Sequence, residues 1–167
     1  MKRIAEFQKV SRDRFLLDSR ELIEDGGAAY DILRMPCRAT KGSAGYDFYL
    51  PFDLTLLPSQ SIKVPTGIRV RMKEGWVLQI YPRSGLGFKY RLQMDNTVGI
   101  VDADYYGADN EGHIFIKMTN DTHDGKTLVL HRGDAFAQGI FIEFGITVDD
   151  NAEGLRTGGL GSTGRSL

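Results

Sequence analysis

Glycine occurs 20 times in 167 residues and cuts the chain into short runs, most of them apolar or alternating. The runs read as strands at Ile4–Val10, Tyr46–Leu50, Ser61–Val70, Trp76–Tyr81, Val98–Val101, His113–Met118, Lys126–Leu130 and Ala137–Phe144. They are rich in Val, Ile, Phe and Tyr, and many are followed by Gly, Pro, Asp or Asn. Such spacing predicts an all-β, jelly-roll-like barrel or sandwich rather than βαβ units. Pro58 and Pro65 bound a strand, as a missing N–H requires. Helix is scarce: Asp13–Glu24 is loosely amphipathic, and Gly26-Gly27 is expected to stop it. The end, NAEGLRTGGLGSTGRSL, holds five glycines and almost no apolar residue. One domain over 1–150 followed by a mobile tail over 151–167 is the expected organisation.

Hydrophobic residues at 41% and charged residues at 26% are an ordinary globular mix, and a formal net charge of -1 argues against a general nucleic-acid binder. An anionic ligand must therefore be met by a few local Arg or Lys residues. Cys37 is the only cysteine, which excludes an intrachain disulfide and disfavours a zinc site. The start, MKRIAEFQKVSRDRF, lacks the apolar core of a secretory signal, and no stretch has the length of a membrane span. A cytoplasmic protein is the plain expectation.

Five blocks carry candidate chemistry. The first is Ser43-Ala44-Gly45-Tyr46-Asp47-Phe48. The second, Pro82-Arg83-Ser84-Gly85-Leu86-Gly87-Phe88-Lys89, reads as a strand-end loop that can aim N–H groups, a hydroxyl and an Arg fork at phosphate. A tight turn with a surface Arg explains it equally simply. In the third, Asn96 to Gly107, an apolar strand runs into Asp102, Asp104, Tyr105 and Tyr106. It reads as a β-hairpin whose tip sets a carboxylate beside an aromatic ring, able to polarise water and pack on a sugar or base. A purely conformational Asp turn is the alternative. The fourth, His131 to Ile140, places Gln138 inside an apolar strand, where a buried amide needs partners in a ligand or in neighbouring backbone. The fifth, Arg156 to Gly164, has the small residues that wrap phosphates, though a linker has the same composition and the Walker A spacing is absent.

Taken in order, the blocks resemble the five signature motifs of the trimeric dUTPase family, with SAGYDF, PRSGLGFK, NTVGIVDADYYG, HRGDAFAQGI and RTGGLGSTG spanning about three-quarters of the chain. The resemblance implies a jelly-roll-like barrel that cuts dUTP to dUMP and pyrophosphate, keeping uracil out of DNA and supplying dUMP for thymidylate synthesis. It implies Asp102 as general base and as partner of the deoxyribose 3′-hydroxyl, with Tyr105 under the sugar, excluding a 2′-hydroxyl. Asn96 and the Gly99, Ile100 and Val101 backbone would pair with the uracil edge; Arg83, Ser84, Gly85 and Gln138 would meet phosphates. Asp47 would approach the metal through water, and Arg156, Leu160, Gly161, Ser162 and Thr163 would close over the nucleotide. Mg²⁺ would be held mainly by the phosphates. A homotrimer with sites shared between subunits follows from the same resemblance, with neither nucleic acid nor membrane as partner. Backbone readout of uracil against cytosine can reach roughly 10⁴-fold, because the wrong base leaves buried groups unpaired.

The chain departs from that pattern in three places. Leu160 stands where an aromatic ring usually covers the base, so Phe115 or Tyr106 is expected to supply one. The stretch Ala108–Gly112 lengthens the return after motif three, and Asp13–Asp31 adds to the lead-in. Leu160 and the longer return resemble features of dUTPases of Gram-positive bacteria and their phages. The nearest rival is a dCTP deaminase, whose proton-shuttling Glu has no counterpart in HIFIKMTN, where Lys117 stands instead. A non-enzymatic relative that keeps the blocks is the other.

Overall fold

The structure, a computed structural model, describes residues 2–154, 156 and 158. The chain opens with β1 (Ala5–Lys9), α1 (Arg12–Ser19) and α2 (Gly26–Asp31), then enters the barrel. There follow β2 (Cys37–Arg38), β3 (Tyr46–Tyr49), β4 (Leu54–Leu56), β5 (Ser61–Pro65), β6 (Ile68–Met72) and β7 (Trp76–Pro82). After α3 (Ser84–Tyr90) come β8 (Leu92–Met94), β9 (Gly99–Val101), a 3₁₀ turn (Ala103–Gly107), β10 (Phe115–Asn120), β11 (Leu128–Leu130) and β12 (Ala135–Glu143). Every strand pairing is antiparallel. The largest sheet runs β2-β3-β12-β7-β9; β5-β10-β8, β1-β6 and β11-β4 complete a jelly-roll-like wall. Among the described residues no helix is long and apolar enough to cross a membrane.

Alternation explains the core. Leu78 and Ile80 of β7, Ile116 and Met118 of β10, and Phe48 of β3 point inward onto Leu128 and Phe136. Asn120 is also buried, its amide donating to the Leu56 and Lys126 carbonyls, so its polar group is satisfied. In β12 the register shifts between Ala135 and Ala137, and Phe136 and Ala137 both turn inward. This bulge aims Gln138 at the opposite face, toward Pro82.

Four sequence expectations need correction. Ser61–Val70 is two strands, because Gly67 adopts φ +73 and the chain leaves β10 for β1. No side chain fits there: a Cβ on Gly67 would lie 2.4 Å from Leu33 Cδ1. Gly26-Gly27 begins α2 instead of merely ending a helix, since the Asp25 carboxylate accepts from the Ala28 N–H at its N-cap. The second block is not a loop: Ser84–Tyr90 is helical, ended by Arg91 in the left-handed region at φ 49. The third block is not a hairpin, for β9 pairs with β7 while β10 pairs with β5 and β8.

The lead-in forms a small core of its own, with Val10, Phe15, Ala29 and Leu33 buried beside Ile23 and Tyr30. It meets the barrel at His113, whose ring is fully buried. The Gly67 N–H donates to Nε2 (2.8 Å), so the proton must sit on Nδ1, which donates to Asp18 (2.7 Å). Burial depresses the His113 pKa below its usual 6.5, although Asp18 pulls the other way. A folded value below the unfolded one means the unfolded chain binds the proton first as pH falls. Stability is therefore expected to be full above about pH 6.5 and to decline below it; His113→Gln should flatten that limb in denaturant titrations between pH 7.5 and 5.

Candidate active site

β9 is the edge of the large sheet, so among the described residues one side of Gly99, Ile100 and Val101 has no strand neighbour. That edge lines a cavity of about 310 Å³, the size of a small-ligand site. Asn96, Tyr105 and Arg156 line it too, with Ile80, Met94, Ile114 and Phe115 as apolar walls and Lys63, Asp95 and Lys117 as charged ones. Gly99 lies tight against β7, where a Cβ would come 3.2 Å from Ile80 Cβ. Five of the residues expected from motif three thus converge around one space, and Arg156 of the tail joins them.

Asp102 follows β9 directly, in extended backbone, and its side chain caps nothing. Its carboxylate is half-exposed and accepts from Arg156 Nη1 at 3.0 Å; Asp104 lies 3.5 Å from the same nitrogen. The Arg156 guanidinium sits 4.8 Å over the Tyr105 ring centroid. Tyr105 is buried, its hydroxyl donating to the His113 carbonyl and accepting from Asn110 Nδ2. Burial raises the Tyr105 pKa, so the hydroxyl stays protonated at neutral pH. Of the two rings expected to replace the one missing at Leu160, Phe115 lines the cavity. Tyr106 serves elsewhere: its hydroxyl donates to Gln8, and Arg69 stacks on its ring.

A second group forms on β3, β12 and the end of β7. Asp47 and Gln138 are cross-strand partners, and Gln138 also pairs with Tyr81. Arg83 Nε lies 3.2 Å from Asp47 Oδ1, and Gln138 Nε2 donates to the Pro82 carbonyl at 3.1 Å. A Cβ on Gly45 would sit 2.6 Å from Gln138 Oε1, so a larger residue there would push the Gln138 amide from its place. Arg83, Ser84 and Gln138 line a shallow depression that shares no residue with the first cavity. One chain therefore brings motifs one, two and four together and motif three together, but does not join the two groups. Leu160, Gly161, Ser162 and Thr163 lie outside the described residues.

No three potential metal ligands cluster among the described residues. A lone Asp47, paired with Arg83, fits a divalent ion held mainly by ligand phosphates and does not fit a protein cage. Sequence reading missed Asp95 and Lys63. Asp95 accepts from Lys117 Nζ (2.7 Å) and Thr119 Oγ1 (2.5 Å). Burial opposes its ionisation, but those two bonds outweigh it and hold the carboxyl below the usual range. The alternation of FIKMTN, which sets Phe115, Lys117 and Thr119 on one face, was the available signal.

Fold and cavity define the class: a jelly-roll-like β-barrel in which a free strand edge, a buried tyrosine and a carboxylate surround one small-ligand site. The family model for dUTPase matches residues 31–164, well over half of the chain. A deoxyuridine 5′-triphosphate nucleotidohydrolase of Lactococcus lactis is 40% identical over 135 residues, covering 79% of this chain and 89% of its own length. That of Paraburkholderia phytofirmans is 36% identical over 140 residues, covering 79% and 90%. Among solved structures, the Streptococcus mutans dUTPase superposes with a TM-score of 0.64 at 31% identity, covering 84% of this chain and 97% of its own. The dUTPase of Staphylococcus aureus phage phi11 has the same fold (TM-score 0.64, 20% identity, covering 91% and 98%). The chain belongs to the dUTPase family.

Proposed function

We propose that the chain hydrolyses dUTP to dUMP and pyrophosphate, with the assignments suggested by the motifs. The observation that carries this reading is the convergence of Asn96, the free β9 edge and Tyr105 on one cavity, with Asp102 paired to Arg156 of its lining. Uracil is read by the Gly99–Val101 backbone and Asn96; deoxyribose lies on Tyr105. The Asp102 carboxylate accepts a proton from a water, whose oxygen bonds to the α-phosphorus as the bond to pyrophosphate breaks. Each donor aimed at the developing charge is worth about 3 kcal/mol. Arg83, Ser84, Gly85 and Gln138 meet the phosphates, with Arg156, Leu160, Gly161, Ser162 and Thr163 as the closing segment.

Mg²⁺ is the proposed cofactor, neutralising the triphosphate when bound. Asp47 would reach it through water. The phi11 relative is described with a structural Mg(II) ion. The homotrimer is taken from the family resemblance; that the phosphate group and the cavity share no lining residue within one chain supports a site completed by other copies.

A dCTP deaminase is disfavoured by Asp95. The acid nearest Lys117 is held ionised, whereas a proton shuttle needs a carboxyl raised toward neutrality. Incubation with dUTP or dCTP and Mg²⁺ decides the matter. Pyrophosphate from dUTP alone is expected; ammonia from dCTP would replace the reading with a deaminase, and no product from either would leave a binding module.

A further inference from the structure

Two departures from the dUTPase pattern, the Asp13–Asp31 addition and the longer return at Ala108–Gly112, lie side by side in the fold and are tied together by contacts at their borders. The Ser11 N–H and hydroxyl both donate to the Glu111 carboxylate, at 2.7 and 2.6 Å. Asp18 of α1 accepts from His113 Nδ1, and the Tyr106 hydroxyl donates to Gln8 of β1 at 2.7 Å. Glu111 and Gly112 are consecutive left-handed residues, at φ 59 and φ 68, and fold the return onto the backbone of the 3₁₀ turn. A Cβ on Gly112 would lie 2.7 Å from the Tyr105 carbonyl oxygen. The same return holds the Tyr105 hydroxyl through the Asn110 amide and the His113 carbonyl.

We propose that the N-terminal segment is a positioning element of the active site: Ser11 and Asp18 clamp the 110–113 return, which fixes the Tyr105 ring at the cavity wall. The chain of contacts is continuous. It runs from α1 through Glu111 and His113 to the return, and from the return to the hydroxyl and backbone of Tyr105. A glutamate in the left-handed region is rarely adopted without a local restraint, and both carboxylate oxygens of Glu111 are taken up by Ser11. Surface decoration would not require polar contacts directed at this one loop. The nature of the ligand on Tyr105 rests on the dUTP reading; the bracing does not.

The test compares Ser11→Ala, Glu111→Gln and the double variant Ser11→Ala with Asp18→Asn, in the full chain. A loosened sugar platform loses ground-state fit and shape selection. KM for dUTP should rise with little change in kcat, and preference for dUTP over UTP should fall by about tenfold in the double variant. Ser11→Thr, which keeps the hydroxyl, should restore both. Hydrogen exchange of residues 103–113 should accelerate in the first three variants at a temperature where all remain folded. Glu111→Gln reads the same contact if the double variant does not fold. Altered stability with unchanged KM, unchanged dUTP preference and unchanged exchange in 103–113 would overturn the proposal. A wild-type protein that cleaves no dUTP would sink the functional reading instead, leaving the exchange data to decide the bracing.

Discussion

Asp102→Asn is expected to lower kcat for dUTP by about 10³-fold while the variant still binds the nucleotide. The substitution is isosteric and keeps an oxygen for the sugar hydroxyl, but an amide cannot take the proton of the attacking water. The carboxylate stands free of the fold: it caps no helix end, and among the described residues its only close partner is Arg156 at 3.0 Å. That pair is half-exposed on the Asp side, so losing it costs about 0–1 kcal/mol and the variant should melt close to wild type. Lost activity then reports chemistry. Asp104 is the internal control, since it approaches the same guanidinium at 3.5 Å and is equally exposed. Asp104→Asn should keep most of the rate. Single-turnover assays with dUTP, beside binding of a non-hydrolysable analogue, separate the two effects. A wild-type rate in Asp102→Asn would remove Asp102 as the base.

The parts of this fold legible in the sequence are those where a long run repeats with a period of two. β10 buries every second residue over its six positions, and β7 and β12 alternate over part of their length, each broken by one adjacent buried pair (Val77 with Leu78, Phe136 with Ala137). β2, β4 and β8 have two or three residues, too few for a period to register. The lining of the cavity was named through the resemblance to the family's third motif, whose residues Asn96, Gly99–Val101 and Tyr105 are neighbours along the chain and also converge in space. The third block nevertheless misled about its own shape. Apolar strand, acids and glycine are what a hairpin shows, and only the partners of β9 and β10 in different sheets reveal that none exists. The clamp on the return was wholly illegible. Ser11 and Glu111 are separated by 100 residues, and Asp18 and His113 by 95, so no local pattern links them. Asp95 was hidden differently. Its meaning depends on Lys117 and Thr119 arriving on the neighbouring strand, while at its own position it looks like an ordinary turn residue.

Deleting residues 156–167 should lower kcat/KM for dUTP by about 10² to 10³-fold, the scale of losing one donor to a developing oxyanion. The segment carries RTGGLGSTG, whose small residues allow successive N–H groups to approach phosphate, and it begins with an arginine already inside the cavity. Arg156 contributes a full positive charge beside Asp102, is largely shielded from solvent, and lies over the Tyr105 ring. Its removal therefore acts on the charged end of the ligand more than on the base. Affinity for dUMP should change far less than affinity for a non-hydrolysable triphosphate, and Arg156→Ala alone should give an intermediate loss. Oligomeric state should not change, because residues 156–167 hold only two apolar side chains larger than alanine, Leu160 and Leu167, for a subunit contact to bury. Sedimentation would check that, and initial rates with the two ligands' affinities would check the rest. If the truncated chain kept full activity, the closing segment would have no part in catalysis, and the base cavity with the Arg83 and Gln138 group would have to bind the triphosphate unaided. Equal losses for dUMP and triphosphate would instead make the segment a cover for the base, the role that Leu160, without a ring, is least equipped to fill.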